Sequence, residues 1–451
     1  MTEYKLALSF IQRVRLLTTE AVFRKSLSGF VAQVLAKIFA LLAVLLLTRT
    51  LSSDDYGVFA YARAWVMVLG PFATLGLSYA TYRFLPRYIA VNNSAAANGY
   101  VLAALLAALS VSLLIIAIYA TLSGAGLRLL PADYMPMVTL MFWAIPAASL
   151  VLVLRFVAQN LGQVGLSFLP ATLLPILQCV LLGVLILSTG LTLSAAVLIF
   201  LVANYVAVMV AAGFVHRAWR RKVGYVRPYF RLGSWLTVSL SLTVSSIAMV
   251  VNQQADLIIV GSLLGAAEAG LYSIAMSLSL LISMVCLSVS ATFVPEISRA
   301  VGAGDWPLVQ QIVRRSSPFF SLPAFAGVLL FVVVGQDLLG VFGDYYREAF
   351  LVLSILSISE LLIAASEPSG HLLNISGRQK ENTFILIAGA LLNIVLNFIL
   401  VPLWGIEGAA IATLLSTLMW TTWRIILVKR YFGIVCGIYA SFSALAFRRL
   451  R

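Results

Sequence analysis

The sequence predicts an all-α membrane protein of about twelve transmembrane helices, arranged as two related six-helix bundles. The first observation is composition, because 62% of the 451 residues are hydrophobic and only 10% are charged. A soluble domain of this length could not bury so much apolar surface. The second is the recurrence of apolar segments of about 20 residues, the length that crosses a bilayer. The third is an internal repeat.

The repeat is clearest where the first apolar segment ends. LSSDDYGVFAYA at 51–62 aligns with LGAAEAGLYSIA at 264–275, and five aligned pairs are identical or similar residues, each pair 213 residues apart. These pairs are Leu51 and Leu264, Asp55 and Glu268, Gly57 and Gly270, Phe59 and Tyr272, and Ala62 and Ala275. FLPRY at 84–88 is echoed by FVPEI at 293–297. Internal repeats that flank a central site are a recurring plan of secondary transporters.

Each half supplies six predicted spans. They are Leu27–Thr48, Gly57–Tyr82, Gly99–Leu122, Pro136–Ala158, Ser167–Thr189 and Ser194–His216, then Leu232–Leu263, Ala269–Val294, Pro318–Leu339, Ala349–Leu373, Thr383–Pro402 and Gly408–Lys429. The chain therefore divides into a cytoplasmic amphipathic N-terminal segment (1–26), a first bundle (27–216), a basic cytoplasmic linker (217–231), a second bundle (232–429) and a basic tail (430–451). The tail is expected to be cytoplasmic or interfacial, with a partial thirteenth span as the alternative.

The formal charge of +14 has a topological explanation. An even number of spans places both termini and the linker on one side of the membrane, and 24 of the 30 lysines and arginines fall on that side. Because cytoplasmic loops carry the excess of lysine and arginine, both termini are expected in the cytoplasm. The basic excess then requires no nucleic acid as a partner.

The sequence carries no motif of an enzyme or of a nucleotide-driven pump. It lacks GxxxxGK[ST] and a nucleophile elbow, so we expect a transporter without a bound cofactor. Cys179, Cys286 and Cys436 lie in apolar segments without the spacing of a metal site or a disulfide framework.

Ionised residues inside predicted spans are candidate functional residues, because they are costly in a bilayer and usually face protein or water. Lys37 lies halfway along the first span with Gln33 one turn away, and Arg63 lies in the second span. Each is a candidate cavity group that binds an anionic substrate. The alternatives are an ion pair with another helix for Lys37 and extension to the outer surface for Arg63.

The seventh span has a polar face formed by Ser241, Ser245, Asn252 and Asp256, which indicates a helix along a water-filled path. Asn252 is a further candidate for substrate binding. Asp256 has three interpretations: a gating bridge to Arg63, a cation or proton site, or a satisfied hydrogen-bond acceptor.

The tenth span contains Glu360, Glu367 and His371, whose spacing of seven and four places them on one helical face. They are candidates for ion coupling, with pairing to Lys37 or helix packing as alternatives. Arg155 and Arg424 lie near cytoplasmic ends, where we expect them to extend to the headgroups. Asn393 and Asn397 predict hydrogen bonds between helices.

Several motifs together resemble one transporter family. They are TRTLSSDDYGVFAYA, ADLIIVGSLLGAAEAGLYSIA, FVPEISRAVGAGDW and LLNISGRQKENTFILIAGALLNIVLNFILVPLWGIEGAAIATLLS. The chain is similar to the polysaccharide transport branch, including O-antigen flippases, of the multidrug/oligosaccharidyl-lipid/polysaccharide exporter superfamily. The resemblance covers about residues 26–429.

This resemblance implies two bundles that form a V around a central cavity in the bacterial cytoplasmic membrane. It implies transfer of undecaprenyl diphosphate-linked oligosaccharide to the outer leaflet, driven by a gradient of Na⁺ or H⁺. It makes Lys37 and Arg63 the expected contacts of the diphosphate or of acidic sugars, and a polysaccharide polymerase and co-polymerase potential partners. Three alternatives stay open: a multidrug antiporter of the same fold, a peptidoglycan-precursor flippase, and a membrane scaffold for glycan assembly.

Overall fold

The structure is a computed structural model that describes residues 31–125, 131–163, 167–188 and 190–437, without the side chains of residues 132, 241–246, 285, 287–288 and 291. The N-terminal segment, most of the basic tail and the side chains of Ser241 and Ser245 therefore lie outside the described residues. Helix is the only regular secondary structure within these ranges.

The first half contains eight described α-helices. They are α1 (Val31–Thr50), α2 (Ser53–Ala73), α3 (Leu77–Ala90), α4 (Ser94–Gly124), α5 (Met135–Phe142), α6 (Ala144–Asn160), α7 (Leu169–Ser188) and α8 (Leu193–Lys222). Side-chain caps fix three of the starts, because Ser52, Asn93 and Thr192 each accept a hydrogen bond from a backbone N–H of the first turn. Beyond Pro71, the chain turns through Gly76, whose φ is +69°, so one predicted span consists of α2 and α3.

The second half contains five longer helices. They are α9 (Leu232–Leu263), α10 (Ala266–Gly302), α11 (Trp306–Phe342), α12 (Phe350–Ile375) and α13 (Gln379–Phe432). α11 begins twelve residues before its predicted start at Pro318, because Asp305 caps the helix and Pro307 occupies its first turn.

Helix α13 reverses direction. Trp404 and Gly405 have non-helical backbone angles, and the arms on either side pack together closely. A Cβ on Gly408 would lie 2.2 Å from the carbonyl oxygen of Leu400, and the Asn393 amide donates to Thr413 over 3.3 Å. The helix therefore crosses the apolar layer twice.

The helices agree with the predicted number of spans. Within the described ranges, ten helices or continuous helical pairs are long and apolar enough to cross a membrane, and α13 is one of them. Helix α9 adds the shorter apolar stretch Ile247–Leu263. With two arms in α13, each of the twelve predicted spans falls on a helix or helical pair.

The molecule has two chemically different ends. Asp54, Asp55, Glu268, Glu348 and Glu407 lie near the connections at one end, which we call the acidic end. The linker at 223–231 and the connections at 91–93, 303–305 and 376–378 lie at the other, the basic end.

Buried side chains form three clusters that define the shape of the molecule. One cluster at the acidic end joins both halves and includes Tyr61, Leu257, Tyr272 and Phe342. At the basic end there are two separate clusters. One consists of first-half residues together with Trp235 from the start of α9, and the other consists of second-half residues. The halves share a core at one end and diverge toward the other, which confirms the predicted V.

The halves meet where α2 crosses α10, at two glycines that the repeat relates to each other. A Cβ on Gly57 would lie 1.8 Å from the carbonyl oxygen of Ala266, and one on Gly270 would lie 3.4 Å from the carbonyl oxygen of Ser53 and from Gly57 Cα. The backbones therefore approach closely because Gly57 has no side chain, while a Cβ on Gly270 would lie at ordinary contact distance from Ser53 and Gly57.

Polar contacts between the halves surround this crossing. The hydroxyls of Tyr56 and Ser273 lie 3.3 Å apart, and those of Tyr61 and Ser262 lie 3.0 Å apart. Arg49 of α1 donates to the carbonyl oxygens of Val341 (2.7 Å) and Gly340 (3.2 Å), at the C-terminus of α11. A cation is favourable at that end of a helix dipole.

The variant Gly57→Val tests whether this crossing holds the acidic end together. The added side chain has no space, so we expect α2 and α10 to separate by about 2 Å, within the range of helix spacings set by side-chain size. Overpacking should also cost about 1–3 kcal/mol of stability. The measurement is the distance between spin labels at positions 54 and 348.

Gly213→Val is the matched control, because a Cβ on this exposed glycine of α8 meets nothing within 4 Å. It should leave the distance distribution unchanged. An unchanged distribution in Gly57→Val as well would show that the close crossing does not hold the halves together.

Candidate functional site between the halves

Three of the predicted site residues converge from opposite halves. Lys37 of α1 and Arg63 of α2 belong to the first half, and Glu360 of α12 belongs to the second half. Lys37 lies within Coulombic range of both other groups. Its side chain is exposed although it lies in a membrane-spanning helix, and Arg63 and Glu360 are partly buried. The site therefore brings together charged groups of both halves, with Lys37 its exposed member.

The cations of this site have no carboxylate in direct contact. The ion pairs among the described residues join Arg347 to Asp344, His371 to Glu367 and Arg378 to Glu381. Lys37 and Glu360 thus interact across a gap wider than an ion pair. Two incompletely compensated positive charges inside a membrane protein are stabilised by water or by an anionic ligand.

Hydrogen bonds between α10 and α12 position the carboxylate of Glu360. Ser283 donates a hydrogen bond to the Glu360 carboxylate. Seven residues closer to the basic end, Ser290 follows Ser283 on α10 and Glu367 follows Glu360 on α12. His371 Nε2 lies 3.3 Å from both Ser290 Oγ and Glu367 Oε1. The spacing of seven keeps these groups on facing sides of the two helices.

Asp256 lies in a different network, inside the second half. Only 4% of the residue is exposed, and its carboxylate accepts hydrogen bonds from Tyr272 (3.0 Å), Asn397 (2.7 Å) and Thr413 (2.5 Å). Arg63 is not among its partners, so the gating bridge that the sequence suggested is not formed in this structure. The third interpretation, a satisfied acceptor, describes the observed contacts.

The network around Asp256 also contains two amide oxygens without donors. The Oδ1 atoms of Asn393 and Asn397 are buried and make no hydrogen bond. Both residues belong to the first arm of α13, and Thr413 belongs to the second. Two buried amide oxygens without donors therefore adjoin a carboxylate whose own oxygens already accept hydrogen bonds.

The two remaining predicted residues lie near these groups without joining a charged cluster. Gln33 is partly buried on α1, one turn before Lys37. The Asn252 amide donates to the carbonyl oxygen of Leu386 over 3.3 Å, which attaches α9 to α13. Asn252 thus contacts the same helix as Asp256.

Arg424 does not extend to the surface as the sequence predicted. It is 8% exposed, its Nε donates to Asn382 Oδ1 over 2.7 Å, and its guanidinium carbon lies 4.5 Å from the centre of the Trp420 ring. The side chain folds into the α13 hairpin because both partners lie within that hairpin. The prediction was wrong since helix position alone does not reveal these partners.

Sequence reasoning missed Ser283, Ser290, Tyr272 and Thr413 as parts of these networks. The signal available for the first two was their spacing of seven, which matches that of Glu360 and Glu367. No local pattern marks Thr413, which meets Asp256 from 157 residues away.

The fold is that of a multi-pass membrane protein, and two matching family models place the chain in the multidrug/oligosaccharidyl-lipid/polysaccharide exporter superfamily. The chain belongs to the family described as polysaccharide biosynthesis protein, whose model matches residues 22–301, more than half of the sequence. A second model, MatE, matches residues 241–399.

Curated relatives include two proteins of Haloferax volcanii. The chain is 28% identical over 239 residues to the probable low-salt glycan biosynthesis flippase Agl15, covering 52% of this chain and 49% of that protein. It is 29% identical over 164 residues to the probable flippase AglR, covering 36% of this chain and 34% of that protein. The chain thus matches about half or less of the length of these relatives.

Solved structures share the fold at low sequence identity. An inward-facing multidrug resistance MATE family transporter aligns with a TM-score of 0.72 at 13% identity, over 87% of this chain and 95% of that one. The MATE multidrug transporter DinF-BH aligns with a TM-score of 0.68 at 15% identity, over 91% of this chain and 95% of that one.

The variant Asp256→Ala should destabilise the protein. It leaves the donors of Tyr272, Asn397 and Thr413 without their acceptor, and each buried unsatisfied group costs about 1–3 kcal/mol. We expect the unfolding midpoint to fall by about 5 °C in sodium-free detergent buffer. Asp344→Ala, at a side chain that is 94% exposed, should change it little. Equal midpoints for wild type and Asp256→Ala would contradict the network.

Proposed function

We propose that this protein transfers polyprenyl diphosphate-linked oligosaccharide, with undecaprenol as the bacterial lipid, from the cytoplasmic to the outer leaflet of the cytoplasmic membrane. The basic end faces the cytoplasm in this proposal, as the distribution of lysine and arginine favours. The chain acts by alternating access of a cavity between its halves, for surface polysaccharide synthesis.

The observation that carries the proposal is the pair of cations between the halves. Lys37 and Arg63 are within Coulombic range of each other, and among the described residues Glu360 is the one acidic group that partly compensates Lys37. A diphosphate carries several negative charges on oxygens, and guanidinium and ammonium groups are its usual protein ligands. The halves diverge toward the basic end, which leaves these cations open to headgroups of that leaflet.

The similar proteins support the same class of substrate. Two relatives bear names that describe flippases, one of them in glycan biosynthesis, and the matching family model is one of polysaccharide biosynthesis. Delivery of the transferred glycan to a polymerase and co-polymerase on the outer side belongs to this proposal.

Replacement of Lys37 tests the proposed substrate contact. In proteoliposomes with undecaprenyl diphosphate that bears one fluorescent sugar, Lys37→Ala should slow transfer about 10- to 100-fold, the equivalent of one charged hydrogen bond. Lys37→Arg should retain most of the activity because it keeps the charge. Transfer is measured as the fraction of fluorophore that an external reductant quenches with time.

Arg217→Ala provides the control, because Arg217 is an exposed cation at the end of α8, outside the site. It should transfer lipid at the wild-type rate. Wild-type transfer by Lys37→Ala would contradict the proposal. Export of the organic cation ethidium, dependent on Glu360 and insensitive to Lys37→Ala, would favour the multidrug antiporter.

We further propose that a Na⁺ or H⁺ gradient drives transfer. The candidate Na⁺ ligands are the side-chain oxygens of Asp256, Asn393, Asn397 and Thr413. Hard cations prefer oxygen ligands, and the amide oxygens of Asn393 and Asn397 accept no hydrogen bond. Glu360, Glu367 and His371 are the candidate groups for proton coupling. Glu360 lies within Coulombic range of Lys37, and Glu367 and His371, further along the same helix, pair with each other.

Thermal unfolding in Na⁺ and in K⁺ distinguishes these two ion sites. If Na⁺ binds at Asp256, replacing K⁺ with Na⁺ should raise the wild-type midpoint, because a ligand at about 100 times its dissociation constant contributes about 2.7 kcal/mol. Asp256→Asn should abolish the increase and Glu360→Gln should retain it. An identical midpoint in both salts, with transfer driven by a pH gradient and lost in Glu360→Gln, would assign coupling to protons instead.

A further inference from the structure

Arg155 is a cation that the central site does not use. It lies on α6, five residues before the helix ends at Asn160 at the basic end, or about 7 Å along the axis at 1.5 Å per residue. The sequence suggested that its side chain extends to the headgroups. The structure instead keeps the residue partly buried, and its Nε is buried without a hydrogen-bond partner.

No carboxylate in the described part of the first half can compensate this charge. Between residues 31 and 231 the sequence has three acids, Asp54, Asp55 and Asp133, and all belong to the acidic end. The ion pairs of the described residues do not include Arg155. A partly buried guanidinium without a counter-ion in a membrane protein favours an anion from outside the chain.

The surroundings of Arg155 combine aromatic rings with polar groups. Its guanidinium carbon lies 4.8 Å from the centre of the Phe168 ring, and the phenols of Tyr79 and Tyr82 on α3 are within electrostatic range. The Tyr82 hydroxyl bonds the side-chain oxygen of Gln159. These rings fix the orientation of the guanidinium without neutralising it.

A crevice beside Arg155 has one polar side and one apolar side. Gln163 and Ser167 line it near the guanidinium, and Pro170, Ala211, Phe214 and Val215 form its apolar wall. The enclosed volume is about 10 Å³, which admits one water-sized atom. A single anionic oxygen fits inside, while the rest of the group that bears it would occupy the mouth of the crevice.

Arg424 shows how this protein treats an arginine that serves packing alone. Its Nε has a side-chain acceptor at 2.7 Å and its ring contact lies in the same hairpin. Arg155 has the ring contact and lacks the acceptor. Among the arginines that the structure describes, Arg155 is the one whose buried Nε has no acceptor, and it lines a crevice.

We propose that Arg155 binds the phosphate group of a lipid, whose chain lies along the apolar wall formed by Phe214 and Val215. Guanidinium donors match phosphate oxygens in geometry and charge, and the apolar wall suits an acyl or isoprenoid chain. A membrane phospholipid and a polyprenyl diphosphate share this chemistry. The site is separate from Lys37 and does not depend on the proposed function.

Native mass spectrometry of the purified full-length protein in detergent tests this site. The probes are dioleoyl phosphatidic acid, geranylgeranyl diphosphate and inorganic diphosphate. Arg155→Gln should weaken binding of at least one of the two lipids about tenfold or more, by loss of a charged hydrogen bond. Arg155→Lys should have an intermediate affinity, because it keeps the charge without the planar donors.

The same variants identify the source of the ligand. If Arg155→Gln weakens the binding of phosphatidic acid alone, the ligand is a membrane phospholipid. If it weakens the binding of geranylgeranyl diphosphate alone, the ligand is a polyprenyl substrate. Arg217→Gln, at an exposed arginine of the same end, should bind like wild type. Lys37→Ala should retain the Arg155-dependent binding even if its transfer is lost, which keeps this test separate from the proposed function.

Two results would overturn the proposal. Equal lipid binding by wild type and Arg155→Gln would mean that the crevice holds only water. If inorganic diphosphate bound as tightly as the lipids and also depended on Arg155, the lipid chain would have no role in binding. Ala218→Leu provides a second variant if Arg155→Gln does not fold. Ala218 lines the crevice at a partly exposed position, so the larger side chain should block binding while Arg155 stays in place.

Discussion

The structure depends on the close crossing of two helices at a pair of repeat-related glycines. Gly57 and Gly270 are 213 residues apart, as are Ser53 and Ala266, whose carbonyl groups they face. Each half therefore presents the same backbone feature to the other. Because no side chain separates the two backbones, the halves share a core at the acidic end, and the diverging helices leave space between them at the basic end. The accessible position of Lys37 follows from this geometry.

The backbone is duplicated, whereas the charges are not. The repeat counterparts of Lys37 and Arg63 are Val250 and Met276, and that of Asp256 is Ala43. Lys37 and Arg63 belong to the first half, and Asp256, Glu360 and Glu367 belong to the second, where the buried Arg424 is held inside the α13 hairpin. The groups that interact between the halves are therefore cations of the first half and a carboxylate of the second. A symmetric site would place like charges opposite each other. The asymmetric one keeps Lys37 and Glu360 at an attractive distance.

The sequence was sufficient to predict the spans, the repeat and the helical faces, because these follow from hydrophobicity and local periodicity. It also singled out Lys37, Arg63 and Glu360, since charge inside an apolar span is visible without a structure. It could not predict what each face contacts. Asp256 is held by Asn397 and Thr413, which are 141 and 157 residues away, and Arg424 is buried only because α13 folds back to bring Asn382 to it. Such partners depend on helix packing, which a single periodic pattern leaves undetermined.

The distribution of charge along the molecule gives the proposed transfer of an anionic lipid a physical direction. Toward the basic end the first half offers cations without acids, and midway Lys37 and Arg63 have only partial compensation. At the acidic end, Glu268, Glu348 and Glu407 line one cleft. The two arginines described there already have partners, because Arg49 binds carbonyl oxygens of α11 and Arg347 pairs with Asp344. An anion that reaches this end therefore meets repulsion rather than a second site. In the proposed transfer, an anion therefore binds from the side where the halves diverge, and it leaves on the side where the glycine crossing must first open.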